Sequence, residues 1–418
     1  MIRMKQKRLA ALVMVPLVVA FLPRVARADI PVEAKIYGFL NAQLEAVWAS
    51  GGATPYRPAG RVADGNSRLG FTGSIELFPQ TKVLWQIEGA LNFEQGGAND
   101  QGLFNTIVSR NSFVGVDDER FGRVVVGYND SAYRTLVGSA AGFGGNLGLT
   151  KFGLDLWNNT DAQVSSNANS VFGRGESRYK NSVHYLSPDW KGFRIAGSYS
   201  FDELIPNGGT RDRFSVGALF KWGGFSIGAG FDYQRNTGVD VDKLMQGFGL
   251  MTHAENDVAT YFYKALVSYE FSTKTYLGIG VERSNYGYAN FVPPTPANPY
   301  ASIETGVMSQ FGMMASVAQG IGDHLSLMAS FGKLGNLAGS IHGAATDFSA
   351  MQFSGGAKYA FNERFAAYVY YTQIENSAQQ TVNLGQASLY TNKVGTADAY
   401  LSPGNSPRAL ALGVIARF

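Results

Sequence analysis

Side-chain type alternates strictly along this chain, and the alternating runs are joined by very short turns. In FSVGALFKW (residues 214–222) and FSIGAGFDYQ (residues 225–234), aromatic and aliphatic side chains occupy every second position, with mostly small or polar ones between them. Only Gly223 and Gly224 separate the two runs. Two alternating runs joined by two glycines predict a tight β-hairpin with one apolar face and one polar face.

Turn lengths extend this pattern to the whole chain. Seven short turns join pairs of alternating runs, and they lie near Pro79, Asp117, Pro188, Gly223, Ser272, Gly322 and Asn362. Eight longer connections are centred near residues 58, 100, 153, 207, 247, 295, 341 and 392. This order predicts sixteen antiparallel strands, with short turns and both termini on one rim and long loops on the other.

Composition fits either a soluble β-barrel or one that spans a membrane. The 418 residues include 51 Gly, 13% are aromatic, and no apolar run after residue 28 is long enough for a membrane helix. The asymmetry of the turns, the even strand number and runs of about ten residues favour the membrane. We therefore predict an all-β fold: a closed 16-stranded antiparallel transmembrane β-barrel with short periplasmic turns, long extracellular loops and an inward-folded third loop.

The C-terminal residues have the pattern of the last strand of this barrel. From Leu410 to Phe418, apolar side chains fall on every second position, and the chain ends on an aromatic ring. An unpaired terminal strand would expose a row of backbone N–H and C=O groups. We expect residues 408–418 to pair with the first strand, residues 35–48, because closure removes both edges and satisfies the backbone groups inside hydrocarbon.

The first 28 residues have the features of a secretory signal peptide. A basic head precedes the apolar run LAALVMVPLVVAFL, and ARA at residues 26–28 matches the small-x-small pattern that signal peptidase cleaves. A run of about 14 apolar residues, interrupted by Pro16, is too short for a membrane anchor. The predicted barrel domain, residues 29–418, has 29 Lys and Arg against 32 Asp and Glu. This balance argues against a nucleic-acid partner, and the absence of Cys excludes a disulfide framework.

Several segments resemble the general Gram-negative porins of the neisserial and β-proteobacterial type. They are AKIYGFLNAQLEAVW, SRLGFTGSIEL, LWQIEGALNF, SRNSFVGVDDERFGRVVVG, SRYKNSVHYLSPDWKGFRIAGSYSF and the closing ALGVIARF. Their order and spacing carry the likeness, which covers the whole chain after the signal segment. The resemblance implies a homotrimeric diffusion pore in the outer membrane, surrounded by lipids and lipopolysaccharide, whose third loop folds into the lumen.

Charged side chains on the polar strand faces are predicted to line the lumen. By alternation, this set includes the bases Arg68, Arg178, Lys180, Arg194 and Lys264 and the acids Glu88 and Asp232. Arg110 shares a face with Ser112, so we assign it to the basic set. Bases outnumber acids, which predicts a weak anion preference because a narrow low-dielectric channel concentrates counter-ions. The simpler alternative is that these charges only keep the interior hydrated.

The longest connection, about residues 129–177, is predicted to form the constriction. Its stretch GSAAGFGGNLGLTKFGLDLW is too apolar for an outer surface in water, and long loops without regular structure are usually functional. Folded inward, the loop would place Asp155 and Asp161 opposite Arg68 and Arg110 and create a transverse electric field. The alternative is a surface flap that contacts a neighbouring protomer.

The sequence contains no catalytic or cofactor-binding motif that we recognise. It has no Gly-x-Ser-x-Gly elbow, His-Glu-x-x-His helix or Walker loop, and its four histidines are not spaced as metal ligands. We therefore predict passive diffusion of small hydrophilic solutes and ions, with no enzyme activity, cofactor or metal. Two alternatives stay open: a selective channel for phosphate or small carboxylates, and a structural or adhesive barrel with a closed lumen. Small outward residues such as Gly38 and Ala42 are candidates for trimer contacts.

Overall fold

The protein is described by a computed structural model that covers residues 32–54, 56–91, 108–138, 171–201, 211–235, 239–240, 258–292, 294–298, 302–341, 343–384, 389 and 401–418. Its strands are β1 (Val32–Ser50), β2 (Tyr56–Asp64), β3 (Arg68–Phe78), β4 (Thr81–Ala90), β5 (Ser112–Asp118), β6 (Gly122–Asp130), β7 (Arg178–Leu186), β8 (Phe193–Ser200), β9 (Arg213–Trp222), β10 (Phe225–Gln234), β11 (Val239–Asp240), β12 (Thr260–Glu270), β13 (Thr275–Val292), β14 (Ser302–Ile321), β15 (Leu325–Leu334), β16 (Ala350–Ala360), β17 (Phe365–Asn376) and β18 (Ser406–Arg417). A short helix, α1 (Ala132–Val137), follows β6, and a 3₁₀ helix (Ala345–Phe348) precedes β16. Within these ranges, no helix is both long and apolar enough to cross a membrane.

The strands form one closed antiparallel barrel of sixteen wall strands. Because β1 pairs with β3 through residues 32–39 and with β2 through residues 42–49, β2 and β3 are successive halves of one wall strand. The two-residue β11 pairs in parallel with β13 and is not a wall strand. β18 pairs with β1 from Phe39 to Ser50, which closes the barrel. The predicted fold class and the predicted pairing of the last strand with the first are both confirmed.

Short and long connections alternate around the barrel. The short turns join β3 to β4, β5 to β6, β7 to β8, β9 to β10, β12 to β13, β14 to β15 and β16 to β17. Because neighbouring strands run in opposite directions, these turns lie on the rim that also holds the start of β1 and the end of β18. The predicted signal peptide, residues 1–28, lies outside the described residues and stays a prediction.

The first of the predicted long connections is wrong. Residue 58 lies within β2, and five residues separate Ser50 from Tyr56. Small residues near position 58 were compatible with a loop, yet Gly60 pairs with Ala46 and continues the wall. The wall therefore extends further here than the hydrophobic pattern indicates.

The two faces of the wall differ as the alternation predicts. On β1, Leu44 is 63% exposed on the outward face, whereas the neighbouring Glu45 is 4% exposed in the interior. Leu412 of β18, which pairs with Leu44, is 59% exposed. An apolar exterior around a polar interior is the arrangement that a barrel in a membrane requires.

The terminal ring of the chain packs on the first strand. The Gly38 N–H donates to the Phe418 carbonyl at 3.0 Å, and the Phe418 N–H donates to the Gly38 carbonyl at 3.2 Å. A Cβ atom at position 38 would lie 2.2 Å from Cζ of Phe418, so the ring covers this glycine. The expectation that Gly38 offers an open small surface to a neighbouring barrel is therefore wrong.

Candidate functional site

The connection between β6 and β7 enters the barrel as helix α1. The Ala132 N–H donates to Ser198 Oγ of β8 at 2.8 Å, so the helix begins against the inner wall. A Cβ atom at Gly230 of β10 would lie 2.6 Å from Val137, which means that the glycine makes room for the helix. The buried side chains of the helix, each at most 1% exposed, are Tyr133, Leu136 and Val137. The first end of the predicted constriction loop thus lies inside the barrel.

The other end of this loop docks on β13 and β14. The backbone N–H groups of Gly173 and Arg174 donate to the Glu282 carboxylate at 3.0 and 3.3 Å. The Arg174 guanidinium donates to the Tyr286 hydroxyl at 2.5 Å and to Gln310 Oε1 at 2.7 Å. Arg174 is fully buried, so these contacts replace the water that a guanidinium group would otherwise bind.

Lys264 of β12 connects the two ends of the loop. Its ammonium group forms ion pairs with Glu176 of the loop and, at 3.2 Å, with Glu282 of the wall. The same group lies 5.0 Å from the ring centroid of Tyr133 and 4.9 Å from that of Phe172, one ring at each end of the loop. Burial raises the pKa of the Tyr133 hydroxyl well above its usual range, so this ring faces the ammonium group as a neutral phenol.

Arg68, Arg110 and Glu88, all predicted from the sequence to line the pore, meet on the inner wall near β3 and β4. Arg110 Nε lies 2.6 Å from Glu88 Oε1, and Arg68 Nε lies 3.8 Å from Glu88 Oε2. The Tyr37 hydroxyl donates to the same carboxylate at 2.9 Å. Asn66 joins both arginines, because its Oδ1 accepts from Arg110 at 2.6 Å and its carbonyl accepts from Arg68 at 3.1 Å. We call Arg68 and Arg110 the wall arginines.

A second group of charges lies at the root of the inward loop. Asp130 Oδ1 is 2.9 Å from Arg134 Nε and 3.1 Å from Arg178 Nε. Asn111 connects two of these groups, because its amide donates to Asp130 at 2.9 Å and its Oδ1 accepts from Arg178 at 2.9 Å. Here too, two guanidinium groups share one carboxylate. We call Arg134 and Arg178 the root arginines.

The structure contradicts the predicted position of Lys180. The preceding residue, Tyr179, points inward and donates its hydroxyl hydrogen to Asp232 at 2.6 Å. Lys180 therefore faces outward, with its Nζ 5.9 Å from the ring centroid of Tyr128. The prediction is wrong because Asn181, with a φ of 46°, interrupts the regular alternation of β7.

Arg194 lies at the short-turn end of β8, apart from both groups of arginines. Its Nε is 3.6 Å from Asp189 Oδ2 in the adjacent turn, and its side chain is 34% exposed. Asp155 and Asp161 lie outside the described residues. Their predicted place opposite the wall arginines therefore stays a prediction.

Two other connections fold into the mouth of the barrel. Apolar wall residues that face inward there are Val47, Met308, Leu334, Ala350, Ile374 and Ala409. They pack against apolar residues of the two loops, namely Leu337, Phe348, Val382, Leu384, Leu389 and Leu401. We call the wall and loop residues together the mouth cluster. The carbonyl of Phe348 accepts hydrogen bonds from Gln310 at 2.7 Å and from Gln380. Asn376 of the wall donates to the Val382 carbonyl at 2.8 Å, which ties the loop to the end of β17.

Sequence reasoning missed most of the residues that anchor these loops. The missed residues are Arg134, Arg174, Glu176, Glu282, Tyr286 and Gln310. Asn66, which contacts the wall arginines, was missed as well. Alternation could have placed Glu282 and Gln310 on the inward faces of β13 and β14, where both are buried. Arg174 and Glu176 lie in a loop and carry no such periodic signal.

Comparison with known sequences agrees with this architecture. The model of the Gram-negative porin family matches residues 10–379. The major outer membrane protein P.IB of Neisseria meningitidis serogroup A is 23% identical over 360 residues, covering 85% of this chain and 91% of that protein. The P.IB protein of Neisseria sicca is 26% identical over 219 residues, which span 51% of this chain and 55% of that protein.

A solved structure shares the fold. An anion-selective porin from Comamonas acidovorans superposes with a TM-score of 0.67 at 15% identity, covering 93% of this chain and 100% of that one. The matched relatives are porins, which are channel proteins rather than enzymes. Because the family model matches most of the sequence, the chain belongs to the Gram-negative porin family and is a β-barrel protein of the bacterial outer membrane.

Proposed function

We propose that this porin lets small hydrophilic solutes and ions cross the outer membrane passively, with a weak preference for anions. The observation that carries this preference is an excess of positive charge where the wall and root arginines lie. The ion-paired groups there are Arg68, Arg110, Arg134 and Arg178 against Glu88 and Asp130. Asp64 is a third carboxylate near Arg110, so four arginines face three acids. Such an excess raises the local concentration of anions in a narrow channel with low-dielectric walls. The porin from Comamonas acidovorans that shares this fold is named as anion-selective, which is the same direction of preference.

The contacts that anchor the inward loop add no net charge to this balance. Lys264 and Arg174 contribute two positive charges, and their partners Glu176 and Glu282 contribute two negative ones. The preference therefore depends on the wall and root arginines. Substitutions among them should change selectivity, while neutral changes in the loop anchor should mainly change pore size.

The reversal potential in a salt gradient tests the proposal. We expect purified protein in planar bilayers to give stepwise ohmic currents and a reversal potential of the sign for anions. Arg68→Glu should shift the permeability ratio toward cations by up to about 100-fold at low salt, because a two-unit charge change at about 6 Å in water changes the local anion and cation concentrations about tenfold each, in opposite directions. The same exchange at Arg194, which lies at the short-turn end, should have a smaller effect.

Three results would contradict this proposal. A reversal potential of the sign for cations in the parent protein would exclude the anion preference. Negligible current from a folded preparation would instead support a structural barrel with a closed lumen. A current that saturates and is blocked by millimolar phosphate would replace simple diffusion with a phosphate-selective channel.

The homotrimer implied by the resemblance has a candidate contact surface on the outward wall. A groove of about 730 Å³ between β1, β2 and β18 is lined by Leu44, Gly60, Val62 and Leu412, among others. No atom of the described residues lies within 4 Å of the position that a Cβ atom at Gly60 would take, so a large side chain fits there and fills the groove. We expect unheated gel samples of the parent protein to run as a trimer and those of Gly60→Trp to run as a monomer. Gly197→Trp, at an equally open position of β8, should leave the trimer intact. If both variants still run as trimers, the contact between protomers lies elsewhere on the wall.

A further inference from the structure

The wall strand formed by β2 and β3 contains one extra residue beside a wall arginine. Asp64 pairs with Ala42 of β1, and Arg68 pairs with Phe39. Two residues of β1 therefore face residues 65–67 of the neighbouring strand. An extra residue on one strand is a β-bulge, which bends that strand and redirects its side chains.

Asn41 of β1 holds this bulge in place. Its carbonyl accepts from the Gly65 N–H at 2.7 Å, its N–H donates to Ser67 Oγ at 2.8 Å, and its side-chain amide donates to the Gly65 carbonyl at 3.0 Å. A Cβ atom at position 65 would lie 2.0 Å from Asn41 Nδ2, so the contact requires glycine. Asn66 adopts a φ of 71°, in the left-handed region that asparagine tolerates better than most residues.

The bulge brings Asn66 to both wall arginines. Its side-chain oxygen accepts from Arg110 at 2.6 Å, and its backbone oxygen accepts from Arg68 at 3.1 Å. Glu88 also contacts both guanidinium groups, but as an anion it cancels one of their two charges. The oxygens of Asn66 are neutral, so they fix the guanidinium groups without adding to the negative charge that Glu88 and the nearby Asp64 already supply.

We propose that Asn66 is a positioning residue that sets the ion selectivity of the lumen. It holds Arg68 and Arg110 beside the path of the solutes without neutralising either of them. The proposal rests on the proposed pore function, but the sign of the effect does not depend on the anion preference. The effect itself is measured as a difference from the parent protein, so it stands or fails separately from that preference.

Asn66→Asp tests the proposal by adding charge at nearly constant shape. Aspartate tolerates the left-handed conformation and keeps an acceptor for Arg110, but it adds one negative charge. We expect the anion-to-cation permeability ratio to fall by up to about tenfold at low salt, because one unit charge at about 6 Å in water lowers the local anion concentration and raises the local cation concentration about threefold each. Asn181→Asp is the matched control, because Asn181 is also a positive-φ asparagine, is exposed on β7, and contacts the Phe201 carbonyl rather than an arginine.

Asn66→Gly tests positioning without any change of charge. Glycine keeps the backbone conformation and the carbonyl that accepts from Arg68, and it removes the side-chain acceptor of Arg110. We expect a smaller fall in the anion-to-cation permeability ratio. Of the two acceptors Asn66 and Glu88, Arg110 then keeps the Glu88 carboxylate and turns toward it. The proposal is overturned if Asn66→Gly has the reversal potential of the parent, or if Asn66→Asp behaves like Asn181→Asp. If Asn66→Asp does not assemble, Asn66→Gly decides alone.

Discussion

Replacing Lys264 with methionine is expected to detach the inward loop from the barrel wall and to give a larger, more variable single-channel conductance. Lys264 is buried and is the shared counter-charge of Glu176 and Glu282. Without it, two buried carboxylates face each other, and removing one partner of a buried ion pair costs roughly 3–5 kcal/mol. The loop can relieve this cost by moving Glu176 away from β13.

Both ends of the loop should respond, because Lys264 contacts both. The rings of Tyr133 and Phe172 lose a cation–π interaction worth about 0.5–2 kcal/mol each. The wall itself should stay intact, since the backbone pairing of Lys264 with Gly230 and Glu282 does not involve its side chain. We therefore expect unchanged β-sheet circular dichroism together with the altered conductance.

Neutral partners supply the matched control for Lys264→Met. Adding Glu176→Gln and Glu282→Gln removes the two carboxylates, and the amide oxygen at position 282 can still accept from the Gly173 N–H. The triple variant should recover a parent-like conductance. Lys221→Met removes an equal charge from an exposed position near the short turn after β9 and should leave the fluctuations of the current unchanged. If Lys264→Met conducts like the parent, or the triple variant fluctuates as much as the single one, this ion-pair group does not hold the loop.

Strand number and closure could be predicted from the sequence because both depend on local pattern. A side-chain period of two and glycine turns are recognisable within about ten residues. The pairing of β18 with β1 follows from the need of a membrane barrel to have no edge. Strand boundaries are predicted wrongly, as for the loop expected near residue 58, where small residues show no alternation of apolar and polar side chains.

Alternation predicts the face of a side chain only while its strand stays regular. It misplaces Lys180 because the register of β7 shifts next to Asn181. Arg110 reaches the lumen for a reason other than the predicted one. The exposed Val114 and Val116 place the even-numbered residues of β5 outward, and Arg110 lies before that strand, turned inward by its ion pair.

The anchors of the inward loop could not be predicted, because they join positions far apart in the chain. Arg174 contacts Tyr286 and Gln310, which are 112 and 136 residues away. A weaker local signal was present in the glycines on the inward faces of β9 and β10. Cβ atoms at Gly217 and Gly230 would contact helix α1, so glycines on the inner face of a wall indicate an element packed inside.

Apolar residues in the long connections carry a similar signal. Leu337, Val382 and Leu384 lie in connections that the turn pattern assigns to the water-exposed rim, yet they are fully buried. Such residues need an apolar surface, and the inward-facing Met308 and Ile374 belong to the cluster that supplies one. Inward-facing wall residues are therefore polar along most of the barrel but apolar at its mouth, because loops rather than water cover the inner face there.

Introducing a charge into the mouth cluster is the second change with a large expected effect. Val382 is fully buried and belongs to an apolar cluster. Val382→Asp would place a carboxylate among these apolar side chains, which costs several kcal/mol, and would also lose about 1.5–3 kcal/mol of apolar burial. We expect residues 377–384 to leave the mouth rather than accept this cost. The conductance should rise because the entrance becomes wider.

Ile341→Asp separates widening from a simple effect of charge. Ile341 lies in the connection between β15 and β16 and is 41% exposed, so a carboxylate there stays in water. Both variants add one negative charge near the entrance, and both should reduce anion entry by a similar amount. Uptake of an uncharged sugar by proteoliposomes should increase with Val382→Asp alone, because a neutral solute responds to width and not to charge. Equal sugar uptake in the two variants would mean that the mouth cluster does not narrow the channel, which would leave the loop held by Lys264 as the main obstacle inside the barrel.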